Sequence, residues 1–139
     1  MERINKIFKH ELFVENLSKI KKYEKDRIFC RHGIEHLLDV ARIGCIYLAE
    51  YKLQNGHVLS DIIDEYIYAA ALLHDLGKFT GFVRRNGVIM HGEDANLLRH
   101  PLSGAILAAK AGLPDKIIHL IATHSFEGER SYQTAESAF

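Results

Sequence analysis

Apolar residues return at three- and four-residue intervals along almost the whole chain, which holds only two prolines, Pro101 and Pro114. That is the period of helices that each bury one face. Ile4, Ile7, Phe8, Leu12, Leu17 and Ile20 make one stripe, followed by a Lys-rich polar stretch to Arg27. Ile34, Leu37, Leu38, Ala41, Cys45, Leu48 and Ala49 make a second, and His36, Val40, Ile43 and Tyr47 give the same helix another apolar face. A helix apolar around so much of its circumference is expected to be the central one, ending before Asn55-Gly56. A third helix, capped by Ser60 or Asp61, carries Ile62, Ile63, Tyr66, Ile67, Ala70 and Leu73 and closes at Gly77. Between Phe79 and Gly92 the period fails, and Asn86-Gly87 between short flanks predicts a loop or small hairpin. Helices are then expected over Leu102 to Lys110 and Asp115 to His124, with a last one beginning near Thr134. The fold class this predicts is all-α, a helical bundle with one irregular loop or small hairpin.

Composition narrows the functions. A chain of 139 residues without repeats or a Pro/Ser-rich linker fits one domain, residues 1–139. Lys plus Arg and Asp plus Glu are 18 each, so no global field favours nucleic acid or a membrane surface. The longest apolar run, Tyr66 to Leu73, is eight residues, far short of the roughly 20 that span a bilayer. Cys30 and Cys45 stand apart, and Met1 to Lys6 has no leader-like pattern, which together predict reduced thiols and a cytoplasmic protein. The nine histidines are half as many as all acidic residues, an excess that asks for a chemical reason.

Five side chains belong together: His36 within the long helix, His74 and Asp75 at the end of the third, His100 before Pro101, and His124 at the end of its helix. A lone histidine on an apolar face is more often a hydrogen-bonded core residue than a ligand. Several imidazoles gathered with a carboxylate are expensive to bury unless a cation accepts their lone pairs. Helix carboxyl ends, with their free carbonyls and partial negative charge, favour a cation near Asp75 and His124. Two cations bridged by Asp75 could clamp a phosphate and supply the nucleophile.

The run Ala71-Leu72-Leu73-His74-Asp75-Leu76-Gly77-Lys78, preceded by His36-x-x-x-Val40-Ala41 and followed by His100-Pro101-Leu102-Ser103-Gly104-Ala105 and Ile121-Ala122-Thr123-His124, resembles the HD-domain metal-dependent phosphohydrolases. The segment from His100 to His124 is also similar to the HD enzymes that cleave dinucleoside tetraphosphates. The resemblance implies an HD-type bundle in which His36, His74, Asp75, His100 and His124 bind one or two divalent metals. Asp75 would be the bridge and, with Lys78, carry the catalysis, Lys78 contacting a substrate phosphate. Fe, Mn, Co, Ni or Zn suits such donors better than Mg alone. The implied substrate is a small phosphorylated molecule, a nucleotide first, and a homodimer is left open. The family also carries a later Asp after its last His, whereas here Asp94 and Asp115 both precede His124. The expectation is a chain stopping short of that residue and of its last helix, with Glu127, Glu129 or Glu136 as substitutes otherwise.

Other residues have plainer readings beside functional ones. His32, one turn before His36, could form a metal-binding pair with it, but is assigned to a supporting or substrate-facing place. Arg84 and Arg85 form either a solvated turn or a phosphate fork, and Lys78 could simply neutralise a helix end. His10, His57 and His119 are assigned to surface or packing. Two rivals to hydrolysis remain: a di-iron oxygenase of the myo-inositol oxygenase-like type, and a degenerate HD module that binds nucleotide without turnover.

Overall fold

The structure is a computed structural model that describes residues 2–28, 31–55, 64–92, 98–126 and 128. The described elements run α1 (Glu2–Lys9), α2 (Glu11–Tyr23), α3 (Ile34–Asn55), α4 (Asp64–Leu73), β1 (Phe82–Arg85), β2 (Val88–His91), α5 (His100–Lys110) and α6 (Asp115–Thr123). The fold is all-α with one small hairpin. Ser60, Asp61, Ile62, Ile63 and the segment from Thr134 lie outside the described residues.

The first apolar stripe is broken into two helices. His10 leaves helical geometry at φ −72° and ψ 132°, and its Nδ1 accepts the Leu12 N–H at 3.3 Å, capping α2. The break resets the helical phase, so Phe13, absent from the expected stripe, is buried with Ile20. Asn16 is buried too and donates to Leu12 O at 2.7 Å.

The central helix is α4, not α3. α4 packs against α3, α6 and α1, and its Ala69, Ala70, Leu72 and Leu73 are all buried. α3 buries only its first stripe, through Leu37, Ala41 and Leu48, whereas Ile43 and Tyr47 are exposed at 53% and 63%. Apolar character alone does not say which of two faces a neighbour covers, and among the described elements α4 is the one that packs extensively on α3. Leu37, Leu72, Ile20 and Ile121 are fully enclosed, each contributing about 1.5–3 kcal/mol by leaving water. The Lys52–Asp64 ion pair joins the end of α3 to the start of α4.

β1 and β2 pair antiparallel, Phe82 opposite His91 and Arg85 opposite Val88. Asn86 at φ 51° and Gly87 at φ 79° form the two-residue turn that matches strand twist. α5 stops where Gly112 takes φ 72°, and Leu113 N–H returns to Ala108 O at 3.1 Å, closing the helix as a Schellman motif.

A candidate metal centre around Asp75

α4 ends at Leu73, and His74 and Asp75 stand in successive turns rather than in the last helical turn. Leu76 N–H bonds to Leu73 O, Lys78 to Asp75 O and Thr80 to Gly77 O, each at 3.0–3.1 Å. These tight turns press the motif against α5. A Cβ on Gly77 would stand 2.3 Å from His100 O and 2.4 Å from Gly104 N, so only glycine permits the approach. Gly77 is therefore required by packing against the first turns of α5, which carries His100 to Asp75.

Asp75 is 4% exposed and is the shared neighbour of the cluster. Its Oδ2 lies 3.4 Å from His74 Nε2, 3.6 Å from His36 Nε2, 3.8 Å from His32 Nε2 and 3.5 Å from Lys78 Nζ. Its Oδ1 lies 3.5 Å from His100 Nε2, which in turn stands 3.1 Å from His124 Nε2. All five residues expected as metal ligands are thus brought together, and so is Lys78. His32 joins them: His32, His36 and Asp75 form one group able to hold a cation, and Asp75, His100 and His124 form another. Arg84 and Arg85 are not brought in. Both are exposed on β1, and Arg84 Nε donates to Gly87 O of its own turn at 3.2 Å. Glu127, Glu129, Glu136 and Asp94 lie outside the described residues, and Asp115 is exposed at the start of α6.

Three of the rings have a defined inner nitrogen. His74 Nδ1 lies 2.6 Å from Ala71 O and His124 Nδ1 lies 2.6 Å from Ile121 O. A carbonyl can only accept, so Nδ1 carries the proton and the lone pair of a neutral ring sits on Nε2. His32 Nδ1 lies 2.5 Å from Glu24 Oε1, which assigns its proton the same way. Acceptors therefore face the acceptor Asp75 across the centre of the cluster. Protonating the rings would crowd positive charge into one small space. A divalent cation would accept such lone pairs, from His32, His36 and Asp75 on one side or from Asp75, His100 and His124 on the other, so the donor set fits a metal of the imidazole- and carboxylate-binding kind.

Burial works against Asp75 ionising, but the hydrogen bond and positive charge of His74 in its protonated form, and then Lys78, outweigh it and hold its carboxyl well below the usual carboxylate range. Desolvation, followed by the neighbouring His74, holds His36 below its ordinary value of 6.5. His124 is likewise held down, by desolvation of its inner side and by His74 and His100.

Glu24 was not singled out by sequence. It is 4% exposed, and besides His32 it accepts from Arg27 Nη1 at 3.0 Å. Burial opposes its ionisation, and hydrogen bonds from the His32 backbone and ring outweigh that, so its carboxyl too is lowered. Within Lys21-Lys22-Tyr23-Glu24-Lys25-Asp26 nothing marks it off from solvated neighbours.

A family model described as HD domain matches residues 33–138. The chain belongs to the HD domain family. HD-domain proteins form a superfamily of metal-dependent phosphohydrolases and generally bind divalent cations. A protein of Clostridium beijerinckii, described as uncharacterized, is 41% identical over 78 residues, 56% of this chain and 45% of that protein. The chain thus spans less than half the length of this curated relative. No solved structure matches it. No helix among the described residues is long and apolar enough to cross a membrane.

Proposed function

We propose that this HD-domain protein hydrolyses a phosphoester or phosphoanhydride of a small molecule, a nucleotide foremost, with one or two divalent cations held by His36, His74, Asp75, His100 and His124. The observation that carries this reading is the convergence of imidazole Nε2 atoms on one buried carboxylate, with the Nδ1 atoms of His74 and His124 turned to backbone carbonyls. A divalent cation in that donor set would supply Lewis acidity toward a phosphoryl group and would lower the pKa of a water that could attack it. Asp75, kept ionised, can serve both groups of ligands because each of its oxygens faces a different one. Lys78 Nζ is only loosely engaged by Asp75 at 3.5 Å. An ammonium has three donors, so others remain for a phosphoryl oxygen, where positive charge stabilises the transition state of phosphoryl transfer. His36 and His124, held below their ordinary value, keep their lone pairs available near pH 7.

The test is a panel of nucleoside mono-, di- and tetraphosphates and simple phosphoesters, assayed under argon with Mn²⁺, Fe²⁺, Co²⁺, Ni²⁺ or Zn²⁺. Release of phosphate or nucleotide that EDTA abolishes and argon does not is the expected result. O₂ consumption by an iron-loaded protein without phosphate release would make it an oxygenase instead. Nucleotide binding with no turnover under any of the metals would make it a binding module.

A further inference from the structure

The HD match begins at residue 33, yet two of the residues most closely tied to the cluster, Glu24 and His32, precede it. Glu24 is the first residue beyond α2, and its N–H closes the helix on Ile20 O at 2.9 Å. From there its carboxylate spans the loop to His32 with both oxygens, Oε2 accepting the His32 backbone N–H and Oε1 the ring Nδ1–H, each at 2.5 Å. Arg27 braces the same Oε1 at 3.0 Å, and Arg31 Nε donates to Arg27 O at 2.5 Å. Arg27 and His32 are therefore both held on one buried acid.

A carboxylate serving only to staple the loop could rest on the backbone N–H and Arg27. The bond to Nδ1 does something more specific. It fixes the ring's rotation and its tautomer, turning Nε2 toward Asp75 Oδ2 at 3.8 Å, beside His36 with ring centroids 5.1 Å apart. Metal-ligating histidines commonly donate their outer N–H to a carboxylate, which fixes their direction and raises their basicity. His32 has that arrangement with a side-chain carboxylate, where His74 and His124 use backbone carbonyls.

We propose that His32 is itself a ligand in the His32–His36–Asp75 half of the centre and that Glu24 is its positioning residue, so that the end of α2 forms part of the metal site. The inference rests on the metal-centre reading above. It adds one imidazole to the proposed set of His36, His74, His100 and His124 and makes the helices before residue 33 part of the function rather than a scaffold beside it.

The experiment uses the full chain, stripped with EDTA and titrated with Co²⁺ by calorimetry and visible absorption. His32→Ala should weaken Co²⁺ binding and shift the absorption bands, since it removes a nitrogen donor. Glu24→Ala should weaken binding by roughly 10- to 100-fold, the effect typical of such outer partners, and Glu24→Gln, which keeps one acceptor, should fall between. In the His32→Ala background, Glu24→Ala should cause no further loss. Should Glu24→Ala fail to fold, Glu24→Gln carries the same comparison. An unchanged Co²⁺ affinity and spectrum in His32→Ala would overturn the ligand assignment. An undiminished effect of the Glu24 substitution in the His32→Ala background would overturn the positioning role. If the unsubstituted protein binds no Co²⁺ and none of the other cations, the metal-centre reading itself fails, which is a different outcome from either.

Discussion

The ends of α4 and α6 and the loop before α3 all aim an imidazole at Asp75, but by different means. α4 and α6 each end one residue before a histidine whose ring turns back to the carbonyl three residues earlier, Ala71 for His74 and Ile121 for His124. The free carbonyls at a helix end are thereby satisfied and used to orient a ring. His32 has no such neighbour and is oriented by Glu24, eight residues away and across a loop. The first device is local and repeats wherever a helix ends in histidine. The second depends on the chain having folded around a buried acid, so it should respond to changes in α2 that leave the first untouched.

The largest effect separating or joining the two arrangements belongs to Asp75, which both share. Asp75→Ala should remove metal binding and turnover together, a loss beyond the roughly 10- to 100-fold of outer-partner changes; retained turnover would take Asp75 out of the centre. Gly77→Ala comes next. Its Cβ would meet the backbone of α5, so unfolding in urea should show about 1–3 kcal/mol of lost stability. Co²⁺ binding should weaken through the displaced His100 and His124, with the Glu24–His32 contact kept in ¹⁵N spectra of the imidazoles.

A smaller effect concerns pH. Because His36 and His124 are held below 6.5, the unfolded chain takes up protons before the folded one. The metal-free protein should therefore be fully stabilised above that pH and lose stability as pH falls through it, down to the lowered folded values. Gln at either position should flatten the slope of urea midpoint against pH. The smallest effect on metal binding is expected from Lys78→Met, which should leave Co²⁺ affinity unchanged while lowering kcat/KM for a phosphorylated substrate.

The same contrast explains what the sequence discloses. Helical periodicity yields the existence of α3 to α6, though α4 ends at Leu73 short of Gly77, and Asn86-Gly87 yields the hairpin, because propensity and turn chemistry are local. That His36, His74, Asp75, His100 and His124 come together is legible because each lies at a helix end or on an apolar face within a recognisable motif. Local pattern fails where a neighbour decides. The exposed face of α3, with Ile43 and Tyr47, reads as apolar as the buried one. The kink at His10 depends on a single cap that shifts the phase of Phe13. Glu24 lies in a run of charged residues, and its burial against His32, eight residues on, is a tertiary contact that no local pattern carries.

The central claim is that five imidazoles converge on Asp75 to hold a cation, and histidine-selective ¹⁵N NMR during a Zn²⁺ titration of the full chain tests it most directly. His32, His36, His74, His100 and His124 should shift together and saturate at one or two equivalents, while His10 and His119 stay in place. Shifts spread over His10 and His119 as strongly as over those five, or none among the five, would contradict it.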